Sequence, residues 1–303
     1  MKNIEIRNNN VLATSELEQM QKRFIDYLDV DDKTLKTYKV GITSFMNYLK
    51  DNNIAYPTRD DIIDYRNMLR ENYSSNTTNT YMIAVRNMFK YLSIHKLYEN
   101  VCVDIKGARY DTTPKKEVLS LDQMKVIYNG LTDSRERALF GLMITTGLRI
   151  CEVQTALIED IKEYNNEIVL FILGKKRDSK TEYVKLSNQV LKDIKEYIGN
   201  RTNGNIFIST SNENCGQGLS VTSLRKIVKK IFKRNGLEKD TLSCHSLRRS
   251  FAVVSYETGS SVYDIQQVLH HKSIGTTTRY LKQVDRDKNK TEYNVSNIIL
   301  GEW

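Results

Sequence analysis

Apolar side chains recur every three or four residues along the first third of the chain. The stripes are Met20, Phe24, Tyr27 and Leu28; Ile42, Phe45, Met46 and Leu49; and Tyr81, Val85, Met88, Phe89 and Leu92. This spacing places each set on one face of an α-helix. A further helix is predicted over residues 62–69, because Thr58 and Asp61 ahead of it have the spacing of a capping box. The pattern predicts a bundle of about four helices in residues 13–106, after a tail of residues 1–12.

The helical periodicity disappears in residues 107–116, GARYDTTPKK, a polar stretch with one glycine and one proline. Such a stretch is typical of a linker, so a second domain is predicted over residues 117–303, including a C-terminal tail. The linker separates two regions that a chain of 303 residues is long enough to fold independently.

The second region mixes helices with short strands. A helix is predicted over residues 135–146, ended by Gly147. Strand patterns cover residues 168–173 and 181–186 around a basic turn, which predicts a β-hairpin, and a further strand is predicted over residues 205–208. The predicted fold class is mainly α with a small β-sheet: a helical bundle followed by an α+β domain.

Composition narrows the class of protein. The four cysteines form no CxxC pair and no Cys/His ligand spacing, so reduced thiols and no metal site are expected. No apolar run approaches the ~20 residues that span a bilayer, and the first ten residues lack the apolar segment of a secretory signal. A soluble, cytoplasmic protein without membrane contact is predicted.

The net charge of +9 is divided unevenly along the chain. Residues 1–113 carry 16 basic and 15 acidic side chains, a net +1, whereas residues 114–303 carry 30 and 22, a net +8. Charge alone is equally consistent with a solubilising surface and with a polyanion partner. The choice between them depends on the motifs of the second region.

That region places polar groups at predicted helix ends and turns. They are Arg149, Lys175, His245, Arg248, His271 and Tyr280. Arginine binds phosphate oxygens through two parallel donors and stays charged at any working pH. A tyrosine has an ordinary pKa near ~10, so it becomes a nucleophile only where cations stabilise its phenolate. The set is therefore suited to holding and attacking a phosphodiester.

The segments around these residues, TGLRICEV, LGKKRDSKTEYVKL, HSLRRSFAVVSYETG and LHHKSIGTTTRY, resemble the boxes of the tyrosine recombinases. This is the family of phage integrases and Xer-type recombinases, and the resemblance extends over nearly the whole chain. The first segment resembles TGLRxxEL, which carries the first catalytic arginine onto Arg149 and its acidic companion onto Glu152. The third resembles HxLRHxFAT, which gives His245 and Arg248.

The other two boxes match with departures. The second segment resembles GKGxKxRxVPL and carries the catalytic lysine onto Lys175, but its turn is about two residues longer, so Lys180 is a competing candidate. The last resembles LGHxSxxTTxxY, which gives His271 and the nucleophile Tyr280. His270 stands where the family has glycine.

The resemblance implies a fold and a reaction. The N-terminal bundle would be a SAM-like core-binding domain that clamps DNA, and the second domain would be catalytic. Tyr280 would attack a DNA phosphodiester, leaving a 3′-phosphotyrosyl link and a free 5′-hydroxyl, with no metal, ATP or other cofactor. Arg149 and Arg248 would stabilise the transition state, His245 and His271 would assist, and Lys175 would protonate the leaving oxygen. Recombination on paired sites implies a homotetramer on double-stranded DNA.

A basic amphipathic helix is predicted just before His245. Its apolar positions lie on one face, and the rest of the helix carries the cations Arg225, Lys226, Lys229, Lys230 and Lys233. A solvated basic face is the simpler interpretation, but a contact with phosphates or the major groove is favoured in a protein that grips a duplex.

Several alternatives stay open. A mobile-element integrase is favoured over an Xer-type resolvase of chromosome or plasmid dimers, because the boxes match the Xer pattern only approximately. A type IB topoisomerase and an idle DNA-binding accessory protein are the weaker alternatives. The apolar C-terminal residues Ile298, Ile299, Leu300 and Trp303 fit docking within the same chain or in a neighbouring protomer equally well. An accessory or directionality factor is possible, and lysine-, asparagine- and isoleucine-rich composition suggests a bacterial source of low GC content.

Overall fold

Two units of the chain, residues 1–112 and 113–303, each form their own hydrophobic core. The computed structural model describes residues 10–109, 117–174 and 179–288, together with Tyr293, Val295, Ser296 and Ile299. Most of the predicted linker, residues 110–116, and three of the four apolar tail residues therefore lie outside the described residues, as do residues 1–9. The predicted ends of the linker and the docking of the tail stay predictions.

The N-terminal unit is a helical bundle. Its helices are α1 (Asn10–Tyr27), α2 (Asp32–Asp51), α3 (Arg59–Asn72) and α4 (Ser75–Ile94). The capping box ahead of α3 forms, since the Thr58 backbone N–H donates to Asp61 at 2.7 Å and the Thr58 hydroxyl accepts from the Asp61 N–H. The predicted stripes meet in one core, where Phe24, Phe45 and Phe89 are at most 1% exposed, except that Tyr27 of the first stripe is 59% exposed. Helix α1 begins at Asn10, so residues 10–12 of the predicted tail are helical; Val11 and Leu12 are too few to form an apolar stripe of their own.

The second unit contains most of the helices and a small sheet. Its helices are α5 (Leu121–Gly130), α6 (Ser134–Thr146), α7 (Ile150–Gln154), α8 (Asn188–Ile198), α9 (Val221–Arg234), α10 (Cys244–Glu257), α11 (Val262–Val268) and α12 (Ile274–Lys288). Helix α6 lies at the centre, packed against α5, α8, α9 and α10, and residues 138–143 within it are all buried. The predicted fold class, mainly α with a small sheet, is confirmed. None of the helices described here is both long and apolar enough to cross a membrane.

The sheet has three antiparallel strands in the order β1 (Ile161–Tyr164), β2 (Glu167–Ile172) and β3 (Glu182–Lys185). The predicted hairpin corresponds to β2 and β3. The sequence pattern missed β1, because its four residues are mostly exposed and two of them are charged. Asn165 and Asn166, with φ of 51° and 60°, form the tight turn that joins β1 to β2.

The strand predicted over residues 205–208 is wrong. The segment makes only two isolated bridges, Leu157 with Asn205 and Ile208 with Gly218. Ile206 and Phe207 are buried in the core, so their apolar character reflects packing of an irregular segment and not a ladder. A short apolar run alone does not distinguish these two cases.

Gly147 ends α6 in the left-handed conformation, with φ of 64°, as predicted, and its N–H donates to the Met143 carbonyl at 3.1 Å. A Cβ at this position would lie 2.6 Å from Leu269 Cδ2 and 2.6 Å from Phe251 Cδ1. The glycine is therefore required twice, by its backbone conformation and by the close approach of α10 and the end of α11. It sets the direction in which the chain continues to Arg149.

We expect Gly147→Ala to lower the free energy of unfolding by about 2–4 kcal/mol, since left-handed strain and overpacking both act there. Gly130→Ala is the matched control, because nothing lies within 4 Å of its added Cβ, and it should leave stability unchanged or slightly raised. Urea unfolding of the two variants measures the difference. Equal stability would contradict this account of the turn.

Candidate functional site

The guanidinium of Arg248 lies at the centre of the candidate site. Its side chain is 2% exposed and comes from the first turns of α10. Nη1 donates to the Gly147 carbonyl at 2.8 Å, and Nη2 donates to the Leu269 carbonyl at 2.5 Å. Nη1 also lies 3.9 Å from a carboxylate oxygen of Glu152. Arg248 thus joins the end of α6 to the end of α11.

Glu152 is the acidic partner of both arginines. The carboxylate is 2% exposed and accepts from the Arg149 backbone N–H at 2.7 Å and from Arg149 Nη1 at 2.5 Å. This i, i+3 arrangement caps the first turn of α7 and orients the Arg149 side chain. Because one buried carboxylate faces two guanidinium groups, the cluster keeps a net positive charge.

Tyr280 lies between the two predicted histidines. It comes from α12, is 8% exposed, and its Oη is 2.9 Å from His245 Nε2. The Tyr280 ring centroid lies 5.6 Å from the His245 ring and 5.5 Å from the His271 ring, edge to face in both pairs. The structure therefore brings Arg149, Glu152, His245, Arg248, His271 and Tyr280 together.

Burial changes the ionisation of two of these groups. It lowers the pKa of Arg248 to about 10, with the charge of Arg149 acting in the same direction, so Arg248 stays protonated at neutral pH. Burial also lowers the pKa of His271 to about 3, aided by the positive charges of Arg248 and Arg149. His271 is therefore a neutral imidazole near pH 7.

A cavity of about 360 Å³ extends from the cluster towards α9. Its lining includes the cationic side chains of Arg149, Arg225, Lys229 and Arg248, together with His245 and apolar residues such as Leu148 and Ile150. Two of the five predicted DNA-binding cations of α9 thus share a cavity with the arginines. Lys226 and Lys230 are exposed and do not line it, and Lys233 forms an exposed ion pair with Glu238 at 2.9 Å.

Of the two candidate lysines, only Lys180 lies among the described residues. Lys175 lies outside the described residues. Lys180 Nζ donates to the Thr155 carbonyl at 3.1 Å and forms an ion pair with Asp160. Its ammonium group is therefore engaged with the segment that precedes β1.

Sequence reasoning missed the residues that hold His271. Thr277 is fully buried and its Oγ1 lies 2.8 Å from His271 Nδ1, while Gln266 bonds the His271 backbone. The only available signal was the run of three threonines, residues 276–278, within the last box. His270, in the position of the family's glycine, has a φ of 50°, so the backbone there still adopts the conformation that glycine favours.

A cationic cluster around one tyrosine is the arrangement expected of a phosphoryl-transfer enzyme with a covalent intermediate. Residues 117–286 match the phage integrase family, and residues 22–96 match the phage integrase N-terminal SAM-like domain. The match to the first covers more than half of the chain. The chain belongs to the phage integrase family, and it is a site-specific recombinase of the tyrosine type.

Named relatives and solved structures agree with this assignment. The chain is 25% identical over 291 residues to the tyrosine recombinase XerD of Oceanobacillus iheyensis, covering 87% of this chain and 93% of the relative. It is 27% identical over 290 residues to a tyrosine recombinase of Thermosipho africanus, covering 90% and 98%. In fold it is similar to the XerH site-specific recombinase in a post-cleavage complex, with a TM-score of 0.71, 20% identity, and coverage of 96% of this chain and 89% of that one.

The ionisation of His271 predicts how stability depends on pH. Because the pKa of His271 is about 3 in the folded state, below its ordinary value of 6.5, the unfolded chain binds the proton first on acidification. The contribution of this residue to stability is therefore complete above about pH 6.5 and is lost progressively towards pH 3. Urea unfolding between pH 7 and pH 4 should show a smaller loss of stability for His271→Gln than for the wild type. Parallel losses would contradict the assignment of a neutral His271.

Proposed function

We propose that the chain cleaves and rejoins double-stranded DNA at specific sites in the cytoplasm, with Tyr280 as the nucleophile. The observation that carries the proposal is the 2.9 Å contact between Tyr280 Oη and His245 Nε2, inside a cluster that contains two arginines and a neutral histidine. In this proposal His245 is the proton acceptor for the phenol, and the nearby cations stabilise the negative charge that forms on its oxygen. A packed structural tyrosine needs a hydrogen-bond partner for its hydroxyl, but it does not need a group of cations around it.

The reaction assigns one role to each side chain. His245 takes the phenolic proton as the Tyr280 oxygen attacks phosphorus, and the bond from phosphorus to the 5′-oxygen breaks. The 3′-phosphate is then esterified to Tyr280, and the 5′-hydroxyl of a partner strand reverses the step. No high-energy nucleotide is consumed, because the phosphotyrosyl ester replaces the ester that was broken.

Stabilisation of the transition state falls to Arg149, Arg248 and His271. Each preorganised donor of this kind contributes about 3 kcal/mol to lowering a barrier. Glu152 acts through the arginines, since its carboxylate holds Arg149 by two hydrogen bonds. Lys175 is the proposed general acid for the 5′-oxygen, and the engagement of Lys180 with Asp160 and Thr155 supports this choice over Lys180.

Duplex DNA is the proposed partner, gripped by Arg225 and Lys229 next to the scissile phosphate. Their shared cavity with Arg149 supports this, and Lys226, Lys230 and Lys233 would contact phosphates further along the duplex. Solved complexes of the fold support the same partner, including XerH bound to its difH substrate and a lambda integrase tetramer bound to a Holliday junction. The latter supports a homotetramer on paired sites.

The biological role that we propose is recombination of a mobile element. The departures from the Xer pattern at GKKRDSK, LHHK and HSLRR support it, and a similar fold in the integrase of the Tn1549 transposon agrees with it. The second candidate is an Xer-type dimer resolvase, which the relatives named XerD, XerC and XerA favour. The location of the target sites distinguishes the two roles.

Tyr280→Phe tests the nucleophile and the role together. Wild type and variant are expressed in a host that carries the source genome region, the lysate is denatured, and the DNA that stays attached to protein is sequenced. The wild type should give adducts at discrete sites, either at the ends of an element or near the replication terminus. The variant should give none while duplex affinity is nearly unchanged, because only the attacking oxygen is removed. Adducts formed by the variant would rule out Tyr280 as the nucleophile, and binding without adducts in both would favour the accessory-protein alternative.

Lys175→Ala and Lys180→Ala separate the candidate general acids. We expect the first to slow cleavage by about a hundredfold or more, because the 5′-alkoxide is a very poor leaving group. Lys180→Ala should mainly lower stability through its lost contacts with Asp160 and Thr155. A substrate with a 5′-thio leaving group needs no acid and should restore cleavage by Lys175→Ala alone. Rescue of Lys180→Ala, or equal defects, would reverse the choice.

A further inference from the structure

His271 is held at three points. Its backbone N–H donates to the Gln266 carbonyl at 3.1 Å, and its carbonyl accepts from Gln266 Nε2 at 2.9 Å. The ring is held by Thr277, whose Oγ1 lies 2.8 Å from Nδ1. His271 is 8% exposed and Thr277 is fully buried. The ring orientation is therefore determined by protein contacts before any substrate arrives.

The direction of the hydrogen bond between His271 Nδ1 and Thr277 Oγ1 follows from the requirement that the Thr277 hydroxyl hydrogen has an acceptor. If His271 Nδ1–H donated to Thr277, the Thr277 hydroxyl hydrogen would require a separate acceptor. Among the described residues, the Thr277 side chain has no hydrogen-bond partner other than His271. An unsatisfied buried donor costs about 1–3 kcal/mol. The arrangement without that penalty is donation by the Thr277 hydroxyl to His271 Nδ1.

The next residue, Thr278, makes the hydrogen bond that a threonine hydroxyl commonly makes within a helix. Thr278, on the exposed side of α12, donates its hydroxyl to the Ile274 carbonyl one turn earlier, at 3.1 Å. That bond is common for threonine in helices. Thr277 makes no such bond, which leaves its hydrogen available to the imidazole.

We propose that Thr277 is a positioning residue that holds His271 in the neutral tautomer with its hydrogen on Nε2. A neutral imidazole carries one N–H, so acceptance at Nδ1 leaves Nε2–H as the only donor of the ring. A nonbridging phosphate oxygen can only accept a hydrogen bond. The opposite tautomer would present a lone pair to that oxygen, so Thr277 determines whether His271 stabilises or opposes the phosphate. The functional part of this proposal rests on the proposed function, whereas the tautomer itself does not.

Nuclear magnetic resonance tests the tautomer in the full-length wild-type chain. With ¹⁵N-labelled histidine, long-range proton–nitrogen correlations distinguish a protonated from a lone-pair ring nitrogen, and His271→Gln assigns the signals. At pH 7 we expect Nδ1 of His271 to show the lone-pair type and Nε2 the protonated type. A protonated Nδ1 would overturn the proposal without the use of any Thr277 variant.

Three variants of Thr277 and Thr278 test how the His271 tautomer affects DNA cleavage. Thr277→Val keeps the side-chain shape and removes the hydroxyl, so the Nδ1–H tautomer should become populated and single-turnover cleavage should slow by roughly tenfold or more. Thr277→Ser should restore both the tautomer and the rate. Thr278→Val is the matched control on the same helix and should change neither.

The outcomes separate the two proposals. Cleavage at the wild-type rate by a folded Thr277→Val, or an equal loss in Thr278→Val, would overturn the positioning role. If Thr277→Val does not fold, Thr277→Ser and the wild-type spectrum still decide the tautomer. A wild-type chain that never cleaves DNA but shows Nε2–H would refute the proposed function and leave the tautomer assignment intact.

Discussion

The burial of one positive charge organises this candidate site. Arg248 is 2% exposed, and a guanidinium group removed from water is tolerated only where hydrogen bonds and opposite charge replace its hydration. It finds these partners in the carbonyls of Gly147 and Leu269 and in the nearby carboxylate of Glu152. Those partners belong to the segments that carry Arg149 and His271. Satisfying one buried charge therefore places the other polar groups.

The same constraint explains the electrostatics of the cluster. Two guanidinium groups around one buried carboxylate leave positive charge, and that charge adds to burial in keeping His271 neutral. The site therefore combines permanent cations with the neutral, hydrogen-bonding imidazole of His271. Such preorganisation is effective because the dipoles and charges do not need to reorient when negative charge develops on a phosphate.

Much of the fold could be predicted, because its helices have local causes. The stripes of α2 and α4, the capping box at α3 and the glycine after α6 are all encoded within a few residues. The two wrong strand predictions concern segments whose structure does not have a local cause. Strand β1 has little apolar character of its own and forms because β2 offers it a partner, and the apolar residues 205–208 pack without joining a ladder. In both cases contacts outside the segment itself decided the backbone state, with the adjacent strand of the hairpin for β1 and with the core for residues 205–208.

The sequence by itself determined the residue types of the candidate site, their order, and the short-range pair of Arg149 and Glu152. Tertiary structure alone decided which atoms meet. Arg248 reaches a carbonyl 101 residues away, and Tyr280 meets a histidine 35 residues away. It also decided that Arg225 and Lys229 share the arginine cavity, and that Thr277 bonds His271. The physical reason is that burial, shifted pKa values and hydrogen-bond direction depend on the surroundings of a group, and packing between distant segments creates those surroundings.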